Sequence, residues 1–190
     1  MATSPDDRTT PRSTPSPATA ATPRTLDGPL LRSLFTDAST LLHRHADALN
    51  AINVFPVPDG DTGANMHLTL RAAIEALESE PDSGLAASAQ ALAHGSLMGA
   101  RGNSGVILSQ ILRGLAAGLA GHRDAGGPTL AAALTSASDA AYAALAEPKE
   151  GTILTVIRAA AQAAETLPRT TMSPPKRLPR TTMSPPKRLP

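Results

Sequence analysis

The sequence predicts an all-α fold, an antiparallel helical bundle or barrel with about six helices. Aromatic residues make up only 2% of the chain, whereas Ala and Leu are abundant, and small Ala faces let helices pack closely. Apolar residues recur at helical spacing in successive segments, and short connections between these segments favour up-and-down packing. Residues 54–57 are the best strand candidate, but prolines in that segment argue against a strand.

Composition divides the chain into three parts. Residues 1–28 consist mainly of Ser, Thr, Pro and Ala, and we expect them to form a disordered leader. Residues 29–167 carry the helical patterns and a net charge of −5. Residues 168–190 contain six Lys or Arg and no acid. An eleven-residue segment, LPRTTMSPPKR, occurs at 167–177 and again at 178–188, and its prolines predict a disordered, basic tail rather than a helix.

Composition also excludes several classes of function. The chain has no cysteine, so it has neither disulfides nor thiolate zinc sites. The predicted domain is mildly acidic and does not have the charge of a nucleic-acid-binding surface. No apolar run approaches the roughly 20 residues of a membrane span. The N-terminus lacks the apolar segment of a signal peptide, so we expect a cytoplasmic protein without membrane insertion.

Six segments show helical periodicity or helix-start signals: 29–52, 65–80, 85–97, 106–119, 129–145 and 152–164. The first helix must end before Pro56, because the residue preceding proline avoids helical geometry. His45 lies on or beside the apolar stripe of that helix, with His43 nearby. A structural or surface role for these histidines is more usual than a catalytic one.

The first chemically informative segment is NVFPVPDGDTGANM at 53–66. Prolines make the loop stiff before its two carboxylates, Asp59 and Asp61, and Gly60 leaves the backbone open between them. A helix start follows at Thr62 or Gly63. Carboxylates on a stiff loop at a helix start suit a hard cation with oxygen ligands, above all Mg²⁺ that carries phosphates.

The second segment is GARGNSG at 99–105, directly before a strongly apolar helix. Backbone N–H groups at a glycine-rich helix start can form an anion-binding nest, and Asn103 and Ser104 add side-chain donors. The segment is not a P-loop, because no Gly-Lys-Ser/Thr ends it and no strand precedes it. Taken alone, the segment is more often a flexible interhelical turn than an anion site. Thr152 opens the last helix, either as an N-cap only or as a further nucleotide contact.

Other interpretations of the aspartate loop are weaker. If Asp59 is the first position of an EF-hand, the twelfth is Leu70, where a bidentate Glu is needed. Glycosidase carboxylates face each other across a substrate, whereas Asp59 and Asp61 stand two apart on one loop. A plain turn rich in Asp and Gly remains open from composition alone. The chain has three distinctive segments between helices: the aspartate loop, the glycine-rich helix start at 99–105 and the Gly-Thr helix start at 151–152. Their combination favours a nucleotide site.

With these motifs the chain resembles a known family, the ATP-binding L domain of dihydroxyacetone kinases (DhaL type). It is most similar to the branch at the N-terminus of bacterial fatty acid kinase. The resemblance covers roughly residues 30–167 and rests on NVFPVPDGDTGANM at 53–66, GARGNSGVILSQILRG at 99–114 and EGTILTV at 150–156, in the family's order. It implies a barrel of eight antiparallel amphipathic helices, with the nucleotide on the interhelical loops at one end.

The resemblance also implies residue roles. Asp59 and Asp61 match the ligands of two Mg²⁺ ions that hold the phosphates of ATP. In dihydroxyacetone kinases a third Asp lies where this chain has Val54, and the adjacent Asn53 could ligate only through a neutral carbonyl. The residues that match phosphate and nucleotide contacts are Thr62, Asn65, Gly102, Asn103, Ser104, Gly105 and Thr152. Thr62 stands where dihydroxyacetone kinases have His.

The family's phosphoryl acceptor is held by a partner, either a dihydroxyacetone-binding subunit or an acyl-binding protein that presents a fatty acid. Only about six of eight expected helices precede the repeated tail. An open barrel leaves apolar faces uncovered, which favours instability or association into homo-oligomers. The sequence therefore predicts an ATP- and Mg²⁺-binding kinase domain, with a catalytically inactive, nucleotide-binding or regulatory module as the alternative.

Overall fold

The computed structural model describes residues 25–55, 57–80 and 83–166. The predictions of a disordered leader over 1–28 and a disordered tail over 168–190 concern residues that lie almost entirely outside these ranges. In the described ranges the chain forms seven helices and no strand, with one isolated antiparallel bridge between Leu26 and Ala125. The predicted all-α class is confirmed. The helices are α1 (Gly28–Arg44), α2 (Ala46–Ala51), α3 (Thr62–Glu78), α4 (Leu85–Met98), α5 (Gly102–Leu119), α6 (Gly127–Ala143) and α7 (Ile153–Thr166).

The predicted first helix, 29–52, is in fact two helices. The break falls at His45, which has φ −107° and ψ 7° and lies exposed at the end of α1. The short α2 turns away there and packs against the start of α3. Gly63 makes this approach feasible, because a Cβ at that position would collide with the backbone of Ala46. The apolar stripe runs through the break, so periodicity alone predicted one continuous helix.

The other helices agree with the sequence prediction to within a few residues. Helix α3 begins at Thr62, one of the two predicted helix starts, although its apolar periodicity is clear only from residue 65, and α5 begins at Gly102. Helix α6 begins two residues early because Pro128 occupies its first turn, where a missing N–H costs nothing. In the described part of the chain, no helix has the length and apolarity that crossing a bilayer requires.

Consecutive long helices run antiparallel. The Arg32 side chain near the start of α1 donates to the carbonyl of Leu77 near the end of α3, at 2.6 Å. Glycines allow close antiparallel contact further along the chain: Gly95 of α4 faces Ala73 of α3, and Gly118 of α5 faces Ala133 of α6. The starts of α3, α5 and α7 therefore lie at one end of the bundle.

The core consists of leucine and alanine, as the composition predicts. Its fully buried leucines come from α1, α3, α4 and α5, and alanines from α3 to α6 fill the space between them. The largest of these side chains are Leu31, Leu77, Leu85, Leu92 and Leu119. Helix α7 makes its extensive contacts with α6, and buries Leu154 and Ala161. The core thus fixes α1 and α3 to α6 around the loops at the common end.

Candidate functional site: two helix starts and an aspartate loop

The loop between α2 and α3 presents Asp59 at the surface. The Asn53 side-chain amide donates to Oδ1 of Asp59 at 2.6 Å and to the carbonyl of Val57 at 3.3 Å. The backbone N–H of Asp59 also bonds the Val57 carbonyl, at 2.9 Å. Gly60 then turns the chain with φ +69°, a conformation that L side chains rarely adopt. The exposed carboxylate is therefore oriented by an amide nitrogen from Asn53.

Asp61 is the N-cap residue of α3, but its carboxylate makes no capping hydrogen bond. The cap comes instead from Asn50 on α2, whose Oδ1 accepts the N–H groups of Gly63 at 2.8 Å and Ala64 at 3.2 Å. The half-buried Asp61 carboxylate is thus not used by its own helix. Two of the N–H groups that could have bound an anion at this helix start are therefore already occupied.

The start of α5 lies beside α3 and has a different character. Gly102 has φ +56°, and a Cβ there would collide with the side chain of Asn65 on α3. One turn further along, a Cβ at Gly105 would collide with Thr69. The buried Thr69 hydroxyl accepts the N–H of Arg101 at 3.0 Å. These close approaches fix the backbone of 101–105 on α3. The first N–H groups of α5 have no acceptor within the helix, and such groups commonly bind anions.

A hydrogen bond of 3.3 Å from the Ser104 hydroxyl to the Thr62 hydroxyl joins the two helix starts. The structure thereby brings together residues from two predicted motifs that are about 40 positions apart in the chain. Asn65 and Gly102 contact each other in the same place. Asn103 is exposed beside them. The aspartate loop and the glycine-rich helix start therefore belong to one surface.

Thr152 caps α7. Its hydroxyl donates to the Lys149 carbonyl at 2.9 Å and accepts the N–H of Leu154 at 3.2 Å. This agrees with the N-cap interpretation. Gly151, with φ +78°, precedes it, and the antiparallel order places this turn at the same end of the bundle as the aspartate loop. The hydrogen bonds of Thr152 are all within its own helix start.

A polar cluster around Glu150 was not predicted from the sequence. Its carboxylate accepts from Tyr142 at 3.0 Å, Thr155 at 2.6 Å and Arg158 at 2.9 Å. The hydrogen bond from Thr155 is the main cause that lowers the pKa of Glu150, and desolvation with the hydrogen bond to Glu150 raises the pKa of Tyr142. The cluster fixes the turn before α7. In the sequence, only the positions of Thr155 and Arg158, five and eight residues after Glu150, could have indicated this cluster.

A groove between α1 and α3 holds a pair of histidines. The rings of His43 and His67 lie 4.7 Å apart, and Nδ1 of His67 is buried without a hydrogen-bond partner among the described residues. Burial, followed by the nearby His43 and Arg71, lowers the pKa of His67. His45, which the sequence placed near the stripe, lies outside this pair. No sequence pattern had distinguished His67 from an ordinary helix residue.

The donor set fits Mg²⁺. Asp59 and Asp61 supply two carboxylates at this surface, one exposed and one half-buried. Within 25–55, 57–80 and 83–166, no cluster of three or more His, Asp or Glu that could hold a metal ion is found. Mg²⁺ usually keeps several waters and binds through one or two carboxylates together with substrate phosphates. N–H groups without a partner in the helix lie at the start of α5, which the Thr62–Ser104 hydrogen bond joins to the helix start after Asp61. The arrangement can hold a phosphate chain between a cation and a helix N-terminus.

Comparison with known proteins finds a matching family model and longer relatives. A family model described as "DAK2 domain" matches residues 56–178, which include Asp59 and Asp61 of the first motif and the whole of 99–105. Protein YloV of Bacillus subtilis is 44% identical over 144 residues, or 76% of this chain and 26% of its own length. An uncharacterized protein of Staphylococcus saprophyticus is 43% identical over 139 residues, or 73% of this chain and 25% of its own length. The chain thus spans about a quarter of the length of these relatives.

Proposed function

Because the chain belongs to the DAK2 domain family, a kinase-associated family, we propose that its helical domain binds ATP with Mg²⁺ and serves as the nucleotide-binding part of a phosphotransferase. The observation that carries this proposal is the hydrogen bond between Thr62 and Ser104. It unites a helix start that follows two carboxylates with a helix start that offers N–H donors. Together the two kinds of group can hold a metal–triphosphate, whereas each alone would be a common turn.

Asp59 and Asp61 would bind Mg²⁺, which, when bound, neutralises the charge that develops on the phosphates during transfer. Asn53 would also orient one of these ligands. Its amide nitrogen donates to Asp59, and its side-chain carbonyl would be the metal ligand that the resemblance implies. A ligand held by a neighbouring amide keeps its orientation, as metal ligands commonly do.

The phosphates would bind at the start of α5, to the backbone of Gly102 and Gly105 and to the side chains of Asn103 and Ser104. Glycine is needed at 102 because φ there is positive and the Asn65 side chain occupies the space of a Cβ. Thr62 and Asn65 would line the same site from α3. Thr152, on a separate helix start at the same end, would face the nucleotide from the α7 side.

The phosphoryl acceptor would be held by another protein or domain. We propose a fatty acid or dihydroxyacetone type of reaction, in which an acyl-binding protein or a dihydroxyacetone-binding subunit presents the acceptor to the site end of the bundle. The relatives are about four times longer than the matched region, so the complete activity would depend on parts outside it. The groups at the proposed site position and neutralise phosphates, as kinase sites of this kind require.

Calorimetric titration with MgATP tests the proposal. The double variant Asp59→Ala/Asp61→Ala should lose Mg²⁺-dependent ATP binding, because it lacks both anionic ligands. Asp37→Ala/Asp124→Ala is a matched control, since it removes the same charge from two exposed positions elsewhere and should bind as the wild type does. Equal binding by all three proteins would refute the aspartate loop as the site.

A second candidate function is a nucleotide-binding or regulatory module without catalysis, because the groups at the proposed site bind and position phosphates. Transfer of radiolabel from ATP to an acceptor on an acyl-binding or dihydroxyacetone-binding partner separates the two functions. The kinase proposal predicts labelled acceptor that Asp59→Ala/Asp61→Ala abolishes, whereas the module predicts binding with no labelled acceptor.

A further inference from the structure

The short helix α2 holds the start of α3 through a residue that neither sequence motif contains. Oδ1 of Asn50 accepts both the Gly63 N–H, at 2.8 Å, and the Ala64 N–H, at 3.2 Å. Side by side with this contact, Gly63 packs so closely on Ala46 that no Cβ fits between them. The cap of α3 is therefore supplied across a helix–helix contact, from 13 positions earlier in the chain.

This arrangement is unusual because an N-cap residue normally bonds the N–H groups of its own first turn. Asp is among the best residues for that purpose, and Asp61 occupies the N-cap position of α3. Its carboxylate nevertheless makes no capping bond. The two N–H groups that it would naturally accept are already bonded to Asn50. Asn50 and the Asp61 carboxylate thus compete for the same donors, and Asn50 occupies them.

We propose that Asn50 is a positioning residue for the metal site: by capping α3 it leaves the Asp61 carboxylate available for a cation. The inference rests on the proposed function, in which Asp61 binds Mg²⁺. A carboxylate that accepts two backbone N–H groups is less able to ligate a metal, because its lone pairs are engaged and its orientation is fixed by its own helix. In Asn50→Ala the Asp61 carboxylate would turn back onto Gly63 and Ala64 and replace the missing cap.

The proposal predicts that Asn50→Ala lowers the affinity for MgATP but leaves the thermal stability of the protein almost unchanged. In Asn50→Ala, Asp61 restores the cap, so the thermal unfolding midpoint should stay near that of the wild type. MgATP affinity should fall about tenfold, because Asp61 must then break the capping hydrogen bonds that it makes in this variant before it can bind the metal. Asn50→Asp should bind MgATP within about twofold of the wild type, since a carboxylate at position 50 accepts the same two N–H groups.

Asp27→Ala is the matched control. Oδ1 of Asp27 caps α1 through the N–H of Leu30 at 2.9 Å, at the opposite end of the bundle beside the α3–α4 turn. No neighbouring carboxylate replaces it in the local hydrogen bonding described for that start. The control should therefore lower the unfolding midpoint and leave MgATP affinity unchanged, which is the reverse of the pattern expected for Asn50→Ala.

Calorimetry with MgATP and thermal unfolding of the full chain give both quantities for all four proteins. The inference is supported when Asn50→Ala loses affinity without a matching loss of stability and Asn50→Asp recovers it. It is overturned when Asn50→Ala binds as tightly as the wild type, or when Asn50→Ala and Asp27→Ala lose affinity and stability in parallel. Failure of the wild type itself to bind MgATP would instead refute the proposed function, and this inference with it.

Discussion

Gly102 shows how one residue joins the two halves of the site. Its φ of +56° is costly for any residue with a Cβ, and the missing Cβ makes room for the Asn65 side chain. A conformational role and a packing role therefore coincide at the first residue of α5. The sequence predicted an anion-binding nest at this glycine-rich segment. No local pattern indicates that Asn65 on α3 contacts it, because that contact forms only when the two helices pack.

We expect Gly102→Ala to lower the free energy of unfolding by about 1–2 kcal/mol through backbone strain and also to weaken MgATP binding by displacing Asn65. Gly121→Ala is the matched control, because Gly121 has φ +76° and an added Cβ there would meet no atom within 4 Å. Chemical unfolding and calorimetry measure the two effects. Equal MgATP affinities in the two variants would contradict a role for Asn65 and Gly102 in the site.

His67 makes the fold sensitive to acid. Burial and the positive charges of His43 and Arg71 lower the pKa of His67, so the unfolded chain binds a proton more readily than the folded chain does. The stability that depends on neutral His67 is complete above the unfolded pKa of about 6.5 and is lost as pH falls towards the lower pKa of the folded state. The folded protein should therefore be less stable at pH 5 than at pH 7.

The variant His67→Gln should flatten this dependence, because glutamine does not titrate. His94→Gln serves as a control at an exposed histidine on α4 and should keep the wild-type profile. Thermal unfolding midpoints between pH 5 and pH 8 measure the effect. A wild-type slope retained in His67→Gln would show that another group causes the acid sensitivity.

Among the elements, α5 and α6 form the helix pair with the most extensive contact, and glycine permits it. A Cβ at Gly114 would lie 2.6 Å from the Cα of Ala137, and one at Gly118 would lie 2.5 Å from the Cα of Ala133. Both distances are far below van der Waals contact, so the two backbones meet at these points. Helix α5 carries the glycine-rich start, so this packing also fixes the position of the site.

Gly118→Val should therefore destabilise the protein by about 1–3 kcal/mol or more, because α5 and α6 must move apart to admit the side chain. Gly127→Ala, at the start of α6 with open space around it, should change stability by less than about 0.5 kcal/mol. Urea unfolding followed by helical circular dichroism compares the two. A neutral Gly118→Val would show that the α5–α6 contact is loose.

Helix identity could be predicted from the sequence because it depends on local properties. Periodic Leu and Ala and the Gly, Pro and Thr signals located each long helix to within a few residues. The break at His45 could not be predicted, because its cause is the packing of Ala46 on Gly63 from another helix. Likewise, Asn50 lies outside the motifs and Glu150 is only the first residue of the 150–156 motif, and their roles follow from hydrogen bonds that form only after the helices are placed.

At the scale of the whole molecule, the two ends of the bundle differ in composition. One end is held by structural contacts, namely the Leu26–Ala125 bridge and Arg32, which also donates to Ser83 at 2.6 Å. The other end carries the two carboxylates, the α5 start and the Thr152 turn. The resemblance implied eight helices, whereas seven are described, with α7 packed chiefly on α6. The domain limits of 29–167 stay a prediction.

The most direct test of a single nucleotide site is NMR of the full chain labelled with ¹⁵N-glycine, titrated with MgATP. Gly60, Gly63, Gly102 and Gly105 report on the proposed site, and Gly28 and Gly84 report on the opposite end. We predict large, saturable amide shifts for the first group, little change for the second, and loss of all shifts in Asp59→Ala/Asp61→Ala. Shifts in only one of the two helix starts, or at Gly28 and Gly84 instead, would contradict a single site built from the aspartate loop and the start of α5.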